Sequence, residues 1–200
     1  MHSKRLTFYL IGLLILSIGV TLTIKSDLGA GPWDALNVGL SSTFGLTVGS
    51  WVIIVGLILI LLNALLLKER PDIFAVLTIV IVGGLIDFWL IYVFKTLNPT
   101  QFMHQIVILL LGLVFLSLGI STYLQAKYPL IPIDRFMLSI QFRLKVNLMI
   151  AKTIGELTAL VLALVFKGPI GLGTIIIAFS VGPLVQLFFP RLEQLKNKWF

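Results

Sequence analysis

The sequence predicts an all-α, polytopic membrane protein. It is read as six transmembrane helices forming two inverted three-helix repeats, each with a short extra helix after its first span. Three observations carry this. Hydrophobic residues make up 58% of the 200 and charged residues 12%, with a mean hydropathy of +1.10; soluble domains carry about 25% charged residues. Residues 6–24, 35–67, 96–126 and 168–190 contain no Asp, Glu, Lys or Arg. The chain also resembles itself at a spacing of 100 residues. Leu10–Gly19 matches Leu110–Gly119 at six of ten positions, and Pro32 and Asp34 fall on Pro132 and Asp134. Further on the offset is 99, placing Ala64, Leu65 and Lys68 on Ala163, Leu164 and Lys167.

A helix needs about 20 apolar residues to cross the bilayer core, and its backbone must be paired internally there. The spans are read near 7–24, 47–67, 73–94, 104–124, 147–166 and 170–189. The first follows Lys4 and Arg5 like a secretory signal. Its length, and its copy at 110–119 inside the chain, argue against cleavage. After it comes Asp27-Leu-Gly-Ala-Gly-Pro-Trp-Asp34, then a charge-free stretch to Gly45. Pro32 suits the first turn of a helix, Asp34 the positive end of its dipole, and Gly45 its stop. About a dozen residues are too few to span. The matching segment, Tyr128 to Arg143, opens at Pro132 with Asp134 two residues on and carries Arg135 and Arg143. Each short helix is either re-entrant, shielded by protein or a wet cavity, or interfacial. Absence of charge after Asp34 favours re-entry for 32–44. Arg135, Arg143 and Lys145 favour the interface for 132–143.

Basic residues set the orientation. With the N-terminus inside, eleven of the 15 Lys and Arg fall in inner segments: Lys4, Arg5, Lys68, Arg70, Lys127, Arg135, Arg143, Lys145, Arg191, Lys196 and Lys198. Three, Lys25, Lys95 and Lys167, fall outside. Both termini are therefore expected in the cytoplasm. Three spans per half then turn the second half (residues 101–200) upside down relative to the first (residues 1–100), within one membrane domain. The same basic loops account for the net charge of +7 through anionic lipid headgroups, so no nucleic-acid partner is expected.

The Asp27–Asp34 element, with Leu36, Gly39, Leu40, Ser41 and Gly45-Leu-Thr-Val-Gly49, resembles the signature of the YczE/YitT-type bacterial membrane proteins. The likeness covers most of the chain, although the second half offers Ile131-Pro-Ile-Asp134 in place of Gly-Pro-Trp-Asp. The resemblance implies a multi-pass protein of the bacterial cytoplasmic membrane and supplies no substrate.

Polar residues within spans are costly and are functional candidates by default. Asp87, in the third span, has Gln186 as its repeat partner. Interfacial capping beside Trp89 and Tyr92 competes with a role in a solute path. Lys152 and Glu156 lie at i, i+4 on the fifth span, where their counterparts are Val52 and Gly56. They read as a self-neutralising ion pair, or as a one-sided ligand contact, which is favoured. Gly12, Ser17 and Gly19, with Gly112, Ser117 and Gly119, read as close helix packing. Asn63 and His104 read as solvated or packed.

The candidate solute-binding residues are Trp33, Asp34, Asn37, Asp87, Asp134, Lys152, Glu156 and Gln186. No phosphate loop, His-Glu-x-x-His site or Gly-x-Ser-x-Gly elbow occurs, and there is no cysteine, so an enzyme, a bound metal and a cofactor are not expected. A shared two-carboxylate mechanism for Asp34 and Asp134 is not expected either, because inverted topology puts their segments on opposite sides. The expected function is a small secondary transporter or flippase-like carrier of a polar or amphipathic solute. Its partners are the lipid bilayer, that solute, protons and, in this reading, a second copy of the chain as a homodimer. The alternative is a non-transporting membrane factor that assists or scaffolds a membrane-associated synthase.

Overall fold

The computed structural model describes residues 2–199, with side chains described from Lys4 to Lys196. Lys198, counted above, lies outside the described side chains. In chain order the elements are α1 (His2–Lys25), α2 (Pro32–Phe44), α3 (Val48–Leu67), α4 (Ile73–Phe88) with a π-helical turn (Trp89–Val93), α5 (Phe102–Gln125), α6 (Pro132–Leu144), α7 (Leu148–Val165) and α8 (Leu172–Trp199). All regular structure among the described residues is helical. Six of these helices are long and apolar enough to cross a membrane: α1, α3, α4 with its π-turn, α5, α7 and α8. Leu65, Ile73, Phe74 and Phe179 are 74%, 79%, 73% and 77% exposed, an apolar exterior that suits lipid.

The same local devices recur at the repeat spacing. Pro32 and Pro132 open α2 and α6. Thr47 and Asn147 cap α3 and α7, their side chains accepting from Ser50 N–H and Ile150 N–H, which satisfies first-turn donors. The backbone turns left-handed at Asp27 and Lys127, at Gly45 and Lys145, and at Lys68 and Lys167. Only Gly45 of these takes that conformation without steric cost. One boundary differs from expectation. α8 continues through Pro183 and Pro190 to Trp199 instead of ending near 189. A proline inside a helix removes one bond and bends it, and residues beyond can keep pairing.

The chain forms two compact units, each drawing on both halves. The first comprises residues 1–31, 85–128 and 169–200. Its centre is the pair α1–α5, which run antiparallel in reciprocal register. Gly12 lies on the backbone of Tyr123 and Gly112 on that of Thr23; Gly19 lies on Leu116 and Gly119 on Leu16. A Cβ at Gly12 would come within 2.5 Å of the Tyr123 nitrogen, so close approach demands these glycines. Trp89, in the π-turn, donates to Ser17 Oγ at 2.9 Å. The π-turn is closed by Phe94 N–H on the Trp89 carbonyl at 2.7 Å. At the other end Gln125 donates to the Phe189 carbonyl and accepts from Lys196 Nζ, at 3.2 and 3.1 Å.

The second unit comprises residues 32–84 and 129–168. Within it α2 packs on α7 and α3, and α6 packs on α3 and α7. Ile60, Ala75 and Ile79 form an apolar cluster between α3 and α4, flanked by Ile53 and Val76. Gly39 of α2 lies against the Phe166 carbonyl and Gly168, and Gly168 against the Ala35 carbonyl. On the repeat-matched side, Asn63 Nδ2 donates to the Pro132 carbonyl at 3.0 Å, and Ser139 Oγ donates to Asn63 Oδ1 at 3.1 Å. Asn63, expected to be solvated or packed, is 2% exposed and serves as the polar bridge between α3 and α6. Arg135 extends that bridge with Nη1 on Asp72 at 2.7 Å and Nη2 on Glu69 at 2.9 Å.

Candidate functional site

The candidate residues of the second unit come together around the first turns of α2 and α6. Trp33 and Asn37 lie at i, i+4, and Asp34 and Asn37 at i, i+3, so Asn37 neighbours both on α2, with Trp33 and Asp34 to either side of it. Trp33 is 6% and Asn37 2% exposed. The Trp33 ring meets Phe136 of α6 edge-on, with centroids 6.0 Å apart. That contact ties the two proline-opened helices to each other.

Glu156 of α7 is the electrostatic hub. It lies within reach of the charges of Lys152 and Asp134, and its own charge acts on Asp34. The carboxylates of Asp34 and Asp134, expected on opposite sides, therefore both border one residue. The physical reason is that each sits at the start of its short helix, and α2 and α6 both pack on α7. The ion pair within α7, the less favoured of the two readings, is not formed. Among the described residues no Lys152–Glu156 contact within 4.0 Å is present.

Three polar atoms of this cluster are buried without a hydrogen-bond partner: Trp33 Nε1, Asn37 Oδ1 and Glu156 Oε2. Buried polar groups are nearly always paired, and each orphan costs about 1–3 kcal/mol. One orphan at a helix face is tolerable. Two of these three lie on α2 and the third on α7, which packs against it. Asp34 is half-buried, yet its surroundings are mostly protein. Burial pushes its carboxyl up to about 7, and the Glu156 charge adds to the rise. Such a group exchanges a proton near neutrality. No three of the described His, Asp and Glu residues are grouped as metal ligands would be. The acidic groups are thus dispersed around the cluster.

The other two candidates belong to the first unit. Asp87 is half-buried on α4 and has an interaction partner of its own, and Gln186 is exposed on α8. Sequence reasoning missed two features. Ser117 of α5 is buried with an unpartnered hydroxyl; its repeat partner Ser17 instead receives Trp89. The Arg135 ion pairs were also missed, although Glu69 and Asp72 in an otherwise basic inner loop were a usable signal. The second unit also carries an open groove of about 820 Å³ lined by Leu67, Leu138 and Phe142 with Glu69, Arg143 and Lys145.

Comparison with known proteins agrees with the membrane reading. Residues 3–190 match the model of DUF6198, a family of unknown function. An uncharacterized protein of Bacillus subtilis (strain 168), YyaS, is 41% identical over 187 residues, covering 94% of this chain and 93% of YyaS. The uncharacterized membrane protein YczE of the same organism is 37% identical over 196 residues, covering 96% and 89%. A Haemophilus influenzae protein is 27% identical over 195 residues, covering 97% and 87%. No solved structure matches. The resemblance carried by Gly-Pro-Trp-Asp is borne out for YczE. With six apolar helices of spanning length and that relative, the chain is a membrane protein.

Proposed function

This chain belongs to the DUF6198 family, and we propose that it is a small secondary carrier whose solute and coupling proton meet at the Trp33–Asp34–Asn37–Asp134–Lys152–Glu156 cluster. One observation carries this: three unpartnered buried polar atoms beside a carboxyl that titrates near 7. A packed structural core has no use for them, whereas a path that alternately holds a proton and a solute requires them. The antiparallel, reciprocal α1–α5 contacts support an inverted repeat, and α2 and α6 act as re-entrant half-helices with their first turns at the site. Burial of Pro32, Trp33, Ala35, Leu36, Asn37, Gly39 and Leu40 supports re-entry for α2, since non-spanning helix at membrane depth must be shielded by protein. Both termini face the cytoplasm of a bacterial cell in this reading.

The test uses proteoliposomes that trap a pH-sensitive dye. Wild type is expected to move protons when a coupled solute is added from a panel of amines, amino acids, sugars and organic acids. Glu156→Gln and Asp34→Asn abolish the response while keeping a cooperative unfolding transition. A wild type inert to the whole panel sinks the carrier reading. Cysteines at Ser42 and Lys145, both exposed, check topology in intact cells. An impermeant thiol reagent should label the first and not the second.

A second reading, a non-transporting membrane factor, is favoured by the open groove at Leu138, Phe142, Arg143 and Lys145. An apolar floor with a basic rim suits a partner segment better than a solute.

A further inference from the structure

We propose that the solute is a small organic cation, an amine or guanidinium bearing N–H donors and a nearby hydroxyl or carbonyl oxygen, held by Trp33, Asn37 and Glu156. This deepens the carrier reading and rests on it. The argument is a count of what the cluster lacks. Two carboxylates, Asp34 and Glu156, interact there, and the ammonium of Lys152 acts on Glu156 alone of the two. The charge missing is therefore positive. Its unmet hydrogen-bonding capacity is two acceptors, Asn37 Oδ1 and Glu156 Oε2, and one donor, Trp33 Nε1. A ligand that satisfies all three brings at least two donors and one acceptor. A quaternary ammonium brings no donor and leaves both acceptors stranded. A bare metal ion leaves the indole N–H unmet, and the dispersed acidic groups do not form its ligand set. An anion adds like charge to an acidic site. The Trp33 ring, tethered edge-on to Phe136, supplies an aromatic wall of the kind that attracts cations.

Structural roles account for part of the cluster only. Asp34 and Asp134 lie in the first turns of their helices, where a carboxylate is favourable for the dipole alone. Glu156 has no such role in the interior of α7, and the dipole does not explain unpartnered atoms on Trp33 and Asn37. Proton and cation then compete for the same charge. The charged group acting on Asp34 is Glu156 of α7, on which Lys152 of α7 and Asp134 of α6 act in turn. Arg135 of α6 is engaged by Glu69 and Asp72, and α3 carries no ionisable side chain between Val48 and Leu67. With Asp34 titrating at about 7, cation binding weakens as pH falls through that value.

The experiment measures thermal unfolding of the whole chain in phosphatidylcholine nanodiscs, whose headgroups offer no N–H. The probes are tyramine, agmatine, tetraethylammonium, benzoate and glucose. Ligand bound only to the folded chain raises the midpoint by mass action. Tyramine or agmatine is expected to raise it saturably at about pH 8 and much less at about pH 5.5. Tetraethylammonium should need at least about tenfold higher concentration, since two hydrogen bonds to buried acceptors are lost. Glu156→Gln should weaken the amine at least about tenfold, and Trp33→Phe, which removes the N–H together with part of the ring, severalfold. Discs containing phosphatidylethanolamine separate the two sources of this chemistry: a headgroup ligand abolishes the free-amine shift, and a free solute leaves it unchanged. A Glu156-dependent shift with benzoate or glucose instead of the amines overturns the cation assignment and leaves the carrier reading standing. Failure of both amines, while solute-driven proton flux persists in proteoliposomes, overturns it in the same way. Failure of both together with absent flux removes the carrier reading as well.

Discussion

Two joints within the second unit occupy repeat-matched positions and are built from opposite materials. At one, Ala35 and Gly39 of α2 lie directly on the backbone of Phe166–Gly168. At the other, the matching Arg135 and Ser139 of α6 reach Asn63, Glu69 and Asp72 through hydrogen bonds and ion pairs. The first is closed by the absence of side chains. It admits no intermediate spacing, because any separation forfeits the dispersion contacts at once. The second is closed by side chains long enough to stay connected while helices shift, and it encloses a void of about 10 Å³ lined by Asn63, Asp72 and Arg135, close to the least that holds one water. Of the two, the ionic joint is the one whose contacts tolerate a change of spacing.

The contrast is tested most harshly at Gly168. Gly168→Ala drives a methyl into the Ala35 carbonyl and should cost about 3 kcal/mol or prevent folding. Gly84→Ala, with nothing within 4 Å of its Cβ, should be neutral or stabilising by up to about 1 kcal/mol. Equal midpoints for the two variants in detergent would erase the distinction between a glycine-closed joint and an ordinary surface.

Asp34, on the helix of the closed joint, adds a pH signature of the order of a few kcal/mol. Its carboxyl holds a proton up to about 7 when folded and only to 3.8 otherwise. The folded chain therefore binds more protons across that window, and stability falls as pH rises from about 4 to about 7 and is flat in this contribution above it. Asp34→Asn should remove that slope, and an unchanged difference curve would show that burial does not raise the group.

At the ionic joint, Arg135→Leu leaves Asp72 Oδ2 without its partner and should cost about 1–3 kcal/mol, with Asp72→Asn restoring part of it. The matching change at Asn63, to the Leu of its repeat partner Leu162, loses the bonds to Pro132 and Ser139 and should cost about 1–2 kcal/mol. Glu69→Gln sharpens the picture at the small end. That bridge is exposed, 57% on the Glu69 side, and should be worth about 0–1 kcal/mol and vanish in high salt. A larger loss there than at Arg135 would reverse the assignment of which acidic partner holds the joint.

Much of this fold is legible in the residues. Long charge-free runs give the spans. Pro32 and Pro132 give the starts of the short helices, and Gly45 one of their stops. The equivalent stop at Lys145 is not legible, since a lysine in left-handed backbone carries no local signal. The end of α8 was misjudged because Pro190 reads as a terminator and tertiary context overrode it. Six of the eight candidate residues gather in one unit, Lys152 and Glu156 legible as charges within a span and Asp34 and Asp134 as first-turn acids after matched prolines. Their convergence on Glu156 was not readable. It depends on α2 and α6 both packing on α7, a long-range fact that neither periodicity nor spacing encodes. Asn63 was passed over for the same reason: its partners lie 69 and 76 residues away.

The interleaving of the two compact units has a consequence for biosynthesis. Neither unit can close until the second half of the chain has left the ribosome, since α1 needs α5, and α2 and α3 need α6 and α7. Through that interval the first four helices wait in the bilayer with Gly12 and Gly19 uncovered and the Asn63 amide without its acceptor. Nascent halves of this kind are natural clients of insertases and membrane chaperones, and natural targets of quality-control proteases. A chain severed between residues 100 and 101 should therefore survive in cells only when both pieces are made together.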